Sequence, residues 1–201
     1  MLYARLTAMF IFAYLVGGLN FSIIISRYFL KTDVRNYGSG NAGMTNSLRN
    51  FGKGIAVLVC LGDIMKSVLV FIAAKLISPD QFFMFAGAAG LILGHNFPVY
   101  YKFKGGKGMV TTGSIMVLTS PIYGTIGVAV SVGVMFATKY VSLGSLLLCV
   151  LFPITTMLKY KGDTSWLIFS VIVAALGIYM HRENIKRLVG GTENRFGRKN
   201  A

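Results

Sequence analysis

The sequence predicts an all-α integral membrane protein of seven transmembrane helices, with its N-terminus outside and its C-terminus in the cytoplasm. Composition is the first reason: 55% of the 201 residues are hydrophobic and 13% are charged, against roughly 25% charged in a typical soluble domain. Patterning is the second, because the apolar residues gather in stretches close to the ~20 residues a bilayer requires. Charge is the third: 20 Lys plus Arg against 6 Asp plus Glu give +14, and basic residues bunched in short loops mark a cytoplasmic side. A soluble globule, a disordered chain and a disulfide-stapled secreted scaffold are excluded. Cys60 and Cys149 lie in separate apolar runs and read as free thiols, and with only His95 and His181 there is no Cys/His cluster at zinc spacing, so no metal is expected.

The elements follow in order. Leu6 to Ile25 is uncharged and longer than a signal-peptide core, which predicts a retained first span. Ile55 to Leu76 is the second, and it carries Asp63 and Lys66 three residues apart on one helical face. These charges lie ~13 to 18 Å beyond Gly54 at 1.5 Å per residue, which predicts a structural ion pair facing protein. In the third, Phe82 to Tyr101, Ala86, Gly90 and Gly94 recur every fourth residue, a pattern for close helix packing in lipid.

The stretch from Met109 to Ala137 is interrupted by Ser120 and Pro121, so one tilted span and two short ones are both open at this point. Val141 to Leu158 and Trp166 to Met180 complete the series. Basic residues arbitrate the ambiguous stretch. With two crossings, Arg27, Lys31, Arg35, Arg49, Lys53, Lys102, Lys104, Lys107, Lys139 and every basic residue after Met180 share one side, while Arg5, Lys75, Lys159 and Lys161 remain on the other. A single crossing would split the basic residues between the two sides, so seven spans are expected.

That parity places four polar segments on one face although they are scattered along the chain: 38–49, 94–108, 138–145 and 181–193. Gly38 to Gly43 matches G-x-G-x-x-G with Asp63 twenty residues on, but it joins two membrane spans rather than a strand and a helix, so it is no dinucleotide fingerprint. Its glycines, with Ser39, Asn41, Thr45, Asn46 and Arg49, predict an anion cradle. Lys104-Gly105-Gly106-Lys107-Gly108 leads straight into a helix, a second anion-binding arrangement that lacks the Walker A spacing. After the last span, His181, Asn184, Ile185 and Leu188 fall on one helical face, with Glu183 able to pair with Lys186 or Arg187.

Two anion sites beside lipid suggest substrates that are both phosphorylated and acylated. The His-x4-Asp pattern of acyl-CoA acyltransferases fails, since Tyr100 and Lys186 occupy the aspartate positions, and no cluster of metal-binding aspartates of the CDP-alcohol type exists. A small organophosphate or anion transporter is the rival from another class. Transporters favour midplane sites in repeated halves, and no internal repeat is visible. A passive protein whose basic loops bind anionic lipid leaves the Asn, Ser and Gly placement unexplained.

Together the segments resemble the PlsY family of bacterial acyl-phosphate:glycerol-3-phosphate acyltransferases. The resemblance rests on Gly38-Ser39-Gly40-Asn41 through Thr45-Asn46 and Arg49, on Gly94-His95 with Phe97-Pro98 and Lys104 to Gly108, on Val141-Ser142-Leu143, and on His181 to Ile185 through Gly191 and Glu193. It covers nearly the whole chain, which is then a single acyltransferase domain, 1–201. It implies transfer of an acyl chain from acyl phosphate to the 1-hydroxyl of glycerol 3-phosphate, the first acylation of phospholipid synthesis, at a bacterial cytoplasmic membrane. The donor would come from a phosphate acyltransferase of the PlsX type, and neither a cofactor nor nucleic acid is involved. By the same resemblance Ser39, Arg49, His181 and Asn184 are catalytic, and Glu193 is structural. Gly38, Gly40, Asn41, Asn46, Lys104, Gly105, Gly106, Lys107, Gly108 and Ser142 line the substrate site. Met44 stands where alanine is usual and Ala42 where proline is frequent.

Acyl phosphate is a mixed anhydride with a good leaving group. The expected task is therefore to align the glycerol hydroxyl with the carbonyl and to neutralise two phosphates. The first two motifs offer no carboxylate base, which leaves His181 or a phosphate oxygen of the donor, with the latter preferred.

Overall fold

The computed structural model describes residues 1–195. Every regular element among them is helical: α1 (Leu2–Gly18), α2 (Phe21–Phe29), α3 (Met44–Ile77), α4 (Gln81–Asn96), α5 (Met109–Thr119), α6 (Pro121–Thr138), α7 (Val141–Lys159), α8 (Thr164–Met180) and α9 (Arg182–Val189). Short 3-10 turns lie at Val34–Asn36 and Val99–Tyr101. Arg198 and Lys199, used above to count charge, lie outside the described residues. The chain divides into two compact units, Met1–Ile115 and Met116–Ala201.

In the first unit the leading apolar stretch is two helices rather than one. Asn20 breaks it: as N-cap of α2 its side chain accepts from Ile23 N–H at 3.2 Å, a role for which asparagine is among the best residues. α4 lies directly on α1. A Cβ on Gly90 or Gly94 would strike the carbonyl oxygen of Phe10 or Tyr14, so only hydrogen fits at these contacts. Because 90 meets 10 and 94 meets 14, the two helices run in the same direction, and the small-residue pattern is confirmed as a packing seam. Replacing Gly94 by leucine forces backbone apart from backbone, and the expected result is a fall in melting temperature in detergent equivalent to about 3 kcal/mol or more. α4 ends at Asn96, five residues before the apolar stretch does, because Pro98 cannot continue the helix; Tyr14 Oη donates to the Phe97 carbonyl at 2.6 Å and holds the exit.

α3 is long, 34 residues, and is interrupted at Gly52, whose φ of 85° belongs to the left-handed region. That glycine separates a short leading helix, carrying Asn46 and Arg49, from the apolar helix carrying Asp63 and Lys66.

In the second unit the interruption at Ser120 and Pro121 is a reversal. The backbone of Gly124 abuts the Met116 carbonyl, and a Cβ on Gly127 would meet the Met116 side chain, so α6 folds back on the end of α5. Tyr160 Oη donates to the Thr119 carbonyl at 2.7 Å beside this turn, and the Tyr160 and Trp166 rings stack at 4.1 Å. α7 then packs on α6 through Gly144, whose Cα faces the Ser131 carbonyl. By length and apolarity five helical segments are long enough to cross a membrane, or six if the bent pair α8–α9 counts as one; α5, with 11 residues, is shorter. The described residues are thus all-helical, with several segments suited to a multi-pass membrane protein.

Candidate active site

In the first unit the two glycine-rich segments come together. Loop 30–43 is clasped from inside by Asn46: its Nδ2 donates to the carbonyls of Val34 (3.0 Å) and Tyr37 (2.9 Å), and its Oδ1 accepts from Ser39 N–H (3.1 Å) and Asn50 Nδ2 (3.0 Å). Asn46 was expected at the substrate. The structure gives it the task of clasping the loop, since its amide is fully occupied there. Asn41 reaches the Ser39 carbonyl and hydroxyl, both at 3.3 Å. Ser39 is exposed at the loop's tip, and so is Arg49 on the helix behind it.

Two contacts join this loop to segment 97–108. Arg35 donates through Nη1 to the carbonyls of Tyr101 and Lys104, both at 3.2 Å, while Asp33 holds the rest of its guanidinium at 2.8 to 3.0 Å. Gly106 is pressed against the Ala42 carbonyl, which also accepts from Asn20 Nδ2 at 3.1 Å. Sequence reasoning missed Arg35 and Asn20. Arg35 was visible only as one positive charge among many, and the signal for Asn20 was a lone amide inside an apolar stretch.

Hydrogen bonding from Arg35 holds the Asp33 carboxyl well below the usual carboxylate range. A carboxyl depressed by folding stabilises fully above its unfolded value, about 4, and loses that contribution as pH falls below it. Stability is therefore expected to fall more steeply in the parent than in Asp33→Asn as pH drops below ~4, because the variant lacks that contribution and starts from a lower stability at neutral pH. Circular dichroism of both proteins from pH 7 to 3 checks it.

The Lys104–Gly108 loop is tied to the end of α4. Gly105 N–H donates to the Asn96 carbonyl (3.2 Å) and Gly106 N–H to the His95 carbonyl (3.1 Å). These amides were expected to cradle an anion; the structure spends them on the helix end. Gly108, at φ 71°, turns the chain into that helix. Beside it both polar atoms of the buried Asn96 side chain lack a hydrogen-bond partner among the described residues.

Under this loop lies the expected pair: Lys66 Nζ stands 2.8 Å from Asp63 Oδ1, with both side chains 2–3% exposed. The pair is joined by His95, whose Nδ1 is 2.8 Å from Lys66 Nζ. His95 carried no role in the sequence reading beyond its place in a motif.

In the second unit α9 turns 59° away from α8 at His181. The buried His181 ring donates from Nδ1 to the Gly177 carbonyl at 2.8 Å, which leaves Nε2 as the acceptor nitrogen of the neutral ring. Glu193 closes the segment: Oε1 accepts from Asn184 Nδ2 and Oε2 from Arg187 Nε, each at 2.8 Å. Glu183 pairs with Lys186 at 3.2 Å, while Arg187 belongs to Glu193. Ser142, buried near the start of α7, has a hydroxyl without a hydrogen-bond partner among the described residues.

The fold and these loops define a polytopic membrane protein with cationic, glycine-rich segments ordered by amide and carboxylate clasps. The sequence pattern of the glycerol-3-phosphate acyltransferase family matches residues 7–191, and the chain belongs to that family. It is 44% identical over 198 residues to a glycerol-3-phosphate acyltransferase of Thermoanaerobacter pseudethanolicus, covering 98% of each chain. A protein of the same name from Halalkalibacterium halodurans is 42% identical over 192 residues, covering 93% of each. The crystal structure of PlsY, an integral membrane glycerol 3-phosphate acyltransferase, in its glycerol 3-phosphate form superposes with a TM-score of 0.87 at 36% identity over 96% of both chains. The lysophosphatidic acid form gives 0.84 at 35%.

Proposed function

We propose that this chain carries out its family's reaction with acyl phosphate as donor, passing the acyl group to the 1-hydroxyl of glycerol 3-phosphate and releasing inorganic phosphate. The observation that carries this reading is the joining of the two loops: Arg35, Gly106 and Ala42 bring the Ser39 loop against the Lys104–Gly108 loop, so that Ser39, Lys104 and Lys107 belong to one region of the first unit. Cations there suit a reaction whose two substrates both bear phosphate. For the second unit we assign His181 and Asn184, ordered by Gly177 and Glu193, to catalysis and Ser142 to substrate binding on the strength of the family motifs.

The glycerol hydroxyl attacks the acyl carbonyl, the carbonyl–phosphate bond breaks, and the hydroxyl proton passes to an oxygen of the departing phosphate. The acceptor Nε2 makes His181 the alternative base. With the donor phosphate as base, His181→Gln keeps its activity within about 10²-fold of the parent and the pH–rate profile shows no histidine limb. A larger loss, with that limb abolished, assigns the proton to His181.

Membrane placement follows the same reading: seven spans in a bacterial cytoplasmic membrane, N-terminus outside, with loops 30–43, 97–108 and 139–140 and the segment after 181 cytoplasmic. The reversal at Ser120–Pro121 supports it, because it divides the long apolar stretch into two helices rather than one continuous span. Lys161→Cys should react with a membrane-impermeant maleimide on intact cells, and Lys102→Cys only after permeabilisation; the reverse pattern would overturn the orientation. A phosphate acyltransferase of the PlsX type is the proposed source of the donor. Release of inorganic phosphate from palmitoyl phosphate, dependent on added glycerol 3-phosphate, tests the reaction; release that ignores glycerol 3-phosphate would reduce the protein to a hydrolase.

A further inference from the structure

Three elements meet around Lys66. Its ammonium touches Asp63 Oδ1 at 2.8 Å within α3, donates to the Gly17 carbonyl of α1 at 3.1 Å, and lies 2.8 Å from His95 Nδ1 on α4. An ammonium has three donors and no acceptor. His95 Nδ1 must therefore accept, and the neutral ring carries its proton on Nε2. Asp63 Oδ1 lies 3.5 Å from the same Nδ1, farther than the lysine, so the lysine decides the tautomer.

The opposite edge of the ring faces the Lys104–Gly108 loop. A Cβ on Gly106 would run into His95 Nε2 on one side and the Ala42 carbonyl on the other. The loop backbone thus rests on the imidazole edge, and its amides are pinned to the carbonyls of His95 and Asn96. A buried ion pair gives little net stability over apolar packing, and the seam between α1 and α4 already holds these helices together. What the pair adds is a fixed ring beneath the loop.

We propose that His95 is a positioning residue for acyl transfer: the Asp63–Lys66 pair locks its imidazole with the proton on Nε2, and that edge sets the height of Gly106 and with it the placement of Lys107 and the start of α5 against the glycerol 3-phosphate. The proposal rests on the reaction assigned above. Displacement of a binding loop by an ångström is enough to cost a large factor in substrate capture.

The chain holds two histidines, so 15N-histidine labelling of the purified enzyme gives two sets of ring signals, assigned with His95→Gln. The His95 signal is expected at the Nε2–H tautomer throughout the active pH range. In Asp63→Asn/Lys66→Met, which removes both buried charges together, that preference should vanish and KM for glycerol 3-phosphate rise about tenfold, with kcat and KM for acyl phosphate within about threefold.

An Nδ1–H or imidazolium signal in the parent overturns the proposal, and so does a double variant with unaltered tautomer and KM. Should the double variant fail to fold, His95→Gln, which keeps an N–H donor, is to be compared with His95→Phe, which keeps ring volume alone. Glutamine should hold KM near the parent value and phenylalanine should not; equal values overturn the proposal. The tautomer readout needs no substrate, so a correct tautomer in a protein that makes no lysophosphatidate overturns the reaction assignment and leaves the ring geometry standing.

Discussion

Arg49→Ala is expected to lower kcat/KM for acyl transfer by about 10²- to 10³-fold, the range seen when one oxyanion-stabilising donor is removed, with the melting temperature changed by only a few degrees. Arg49 projects from the short helix between Met44 and Gly52, exposed at the surface, so the fold does not depend on burying it. Its guanidinium offers a planar fork to phosphate, which an ammonium does not. Arg49→Lys should therefore recover less than a tenth of the lost activity, although the charge is retained. Full activity in Arg49→Lys would mean that the residue supplies only a diffuse positive field. Activity assayed at two ionic strengths separates these cases, since a diffuse field is screened by salt and a direct contact much less.

Glu193→Ala is the second large effect, and it acts through structure. The carboxylate is buried and holds two partners from α9 at 2.8 Å, Asn184 and Arg187. Removing it leaves a buried amide and a partly buried guanidinium without their acceptor, at about 1.5–3 kcal/mol for each charged hydrogen bond. Activity and melting temperature should fall together. Glu193→Gln keeps an acceptor for one partner and should retain more of both. A Glu193→Ala protein with parental activity would contradict the role given to α9. The contrast with Arg49→Ala, which loses activity alone, distinguishes chemistry from scaffolding.

Much of the fold was legible because lipid imposes simple rules. Uncharged stretches became helices, Gly90 and Gly94 of the small-residue repeat became a packing seam, and Asp63 found Lys66. Breaks were harder. Asn20 caps a new helix inside what reads as one span, because a capping side chain costs nothing visible in hydropathy. Pro98 announced itself, yet the apolar stretch ran on past it to Tyr101. Pro121 was seen to interrupt its stretch, but whether the chain continued or reversed depended on contacts such as Gly124 against Met116.

For the site, residue types were readable and partners were not. Asn46 looks the same in sequence whether it binds phosphate or clasps a loop; only its four hydrogen bonds decide. The glycines of Lys104–Gly108 suggested open amides, whereas Gly105 and Gly106 donate to α4. Arg35 and His95 bind across 60 residues or more of intervening chain or across helices, and nothing in their neighbours' identities announces such pairings.

The central claim is the donor. Purified protein in lipid nanodiscs, given radiolabelled glycerol 3-phosphate with either palmitoyl phosphate or palmitoyl-CoA, is the direct measurement. Labelled lysophosphatidate should form from palmitoyl phosphate and not from palmitoyl-CoA. Formation from the thioester alone would reassign the donor, and no product from either would contradict the account.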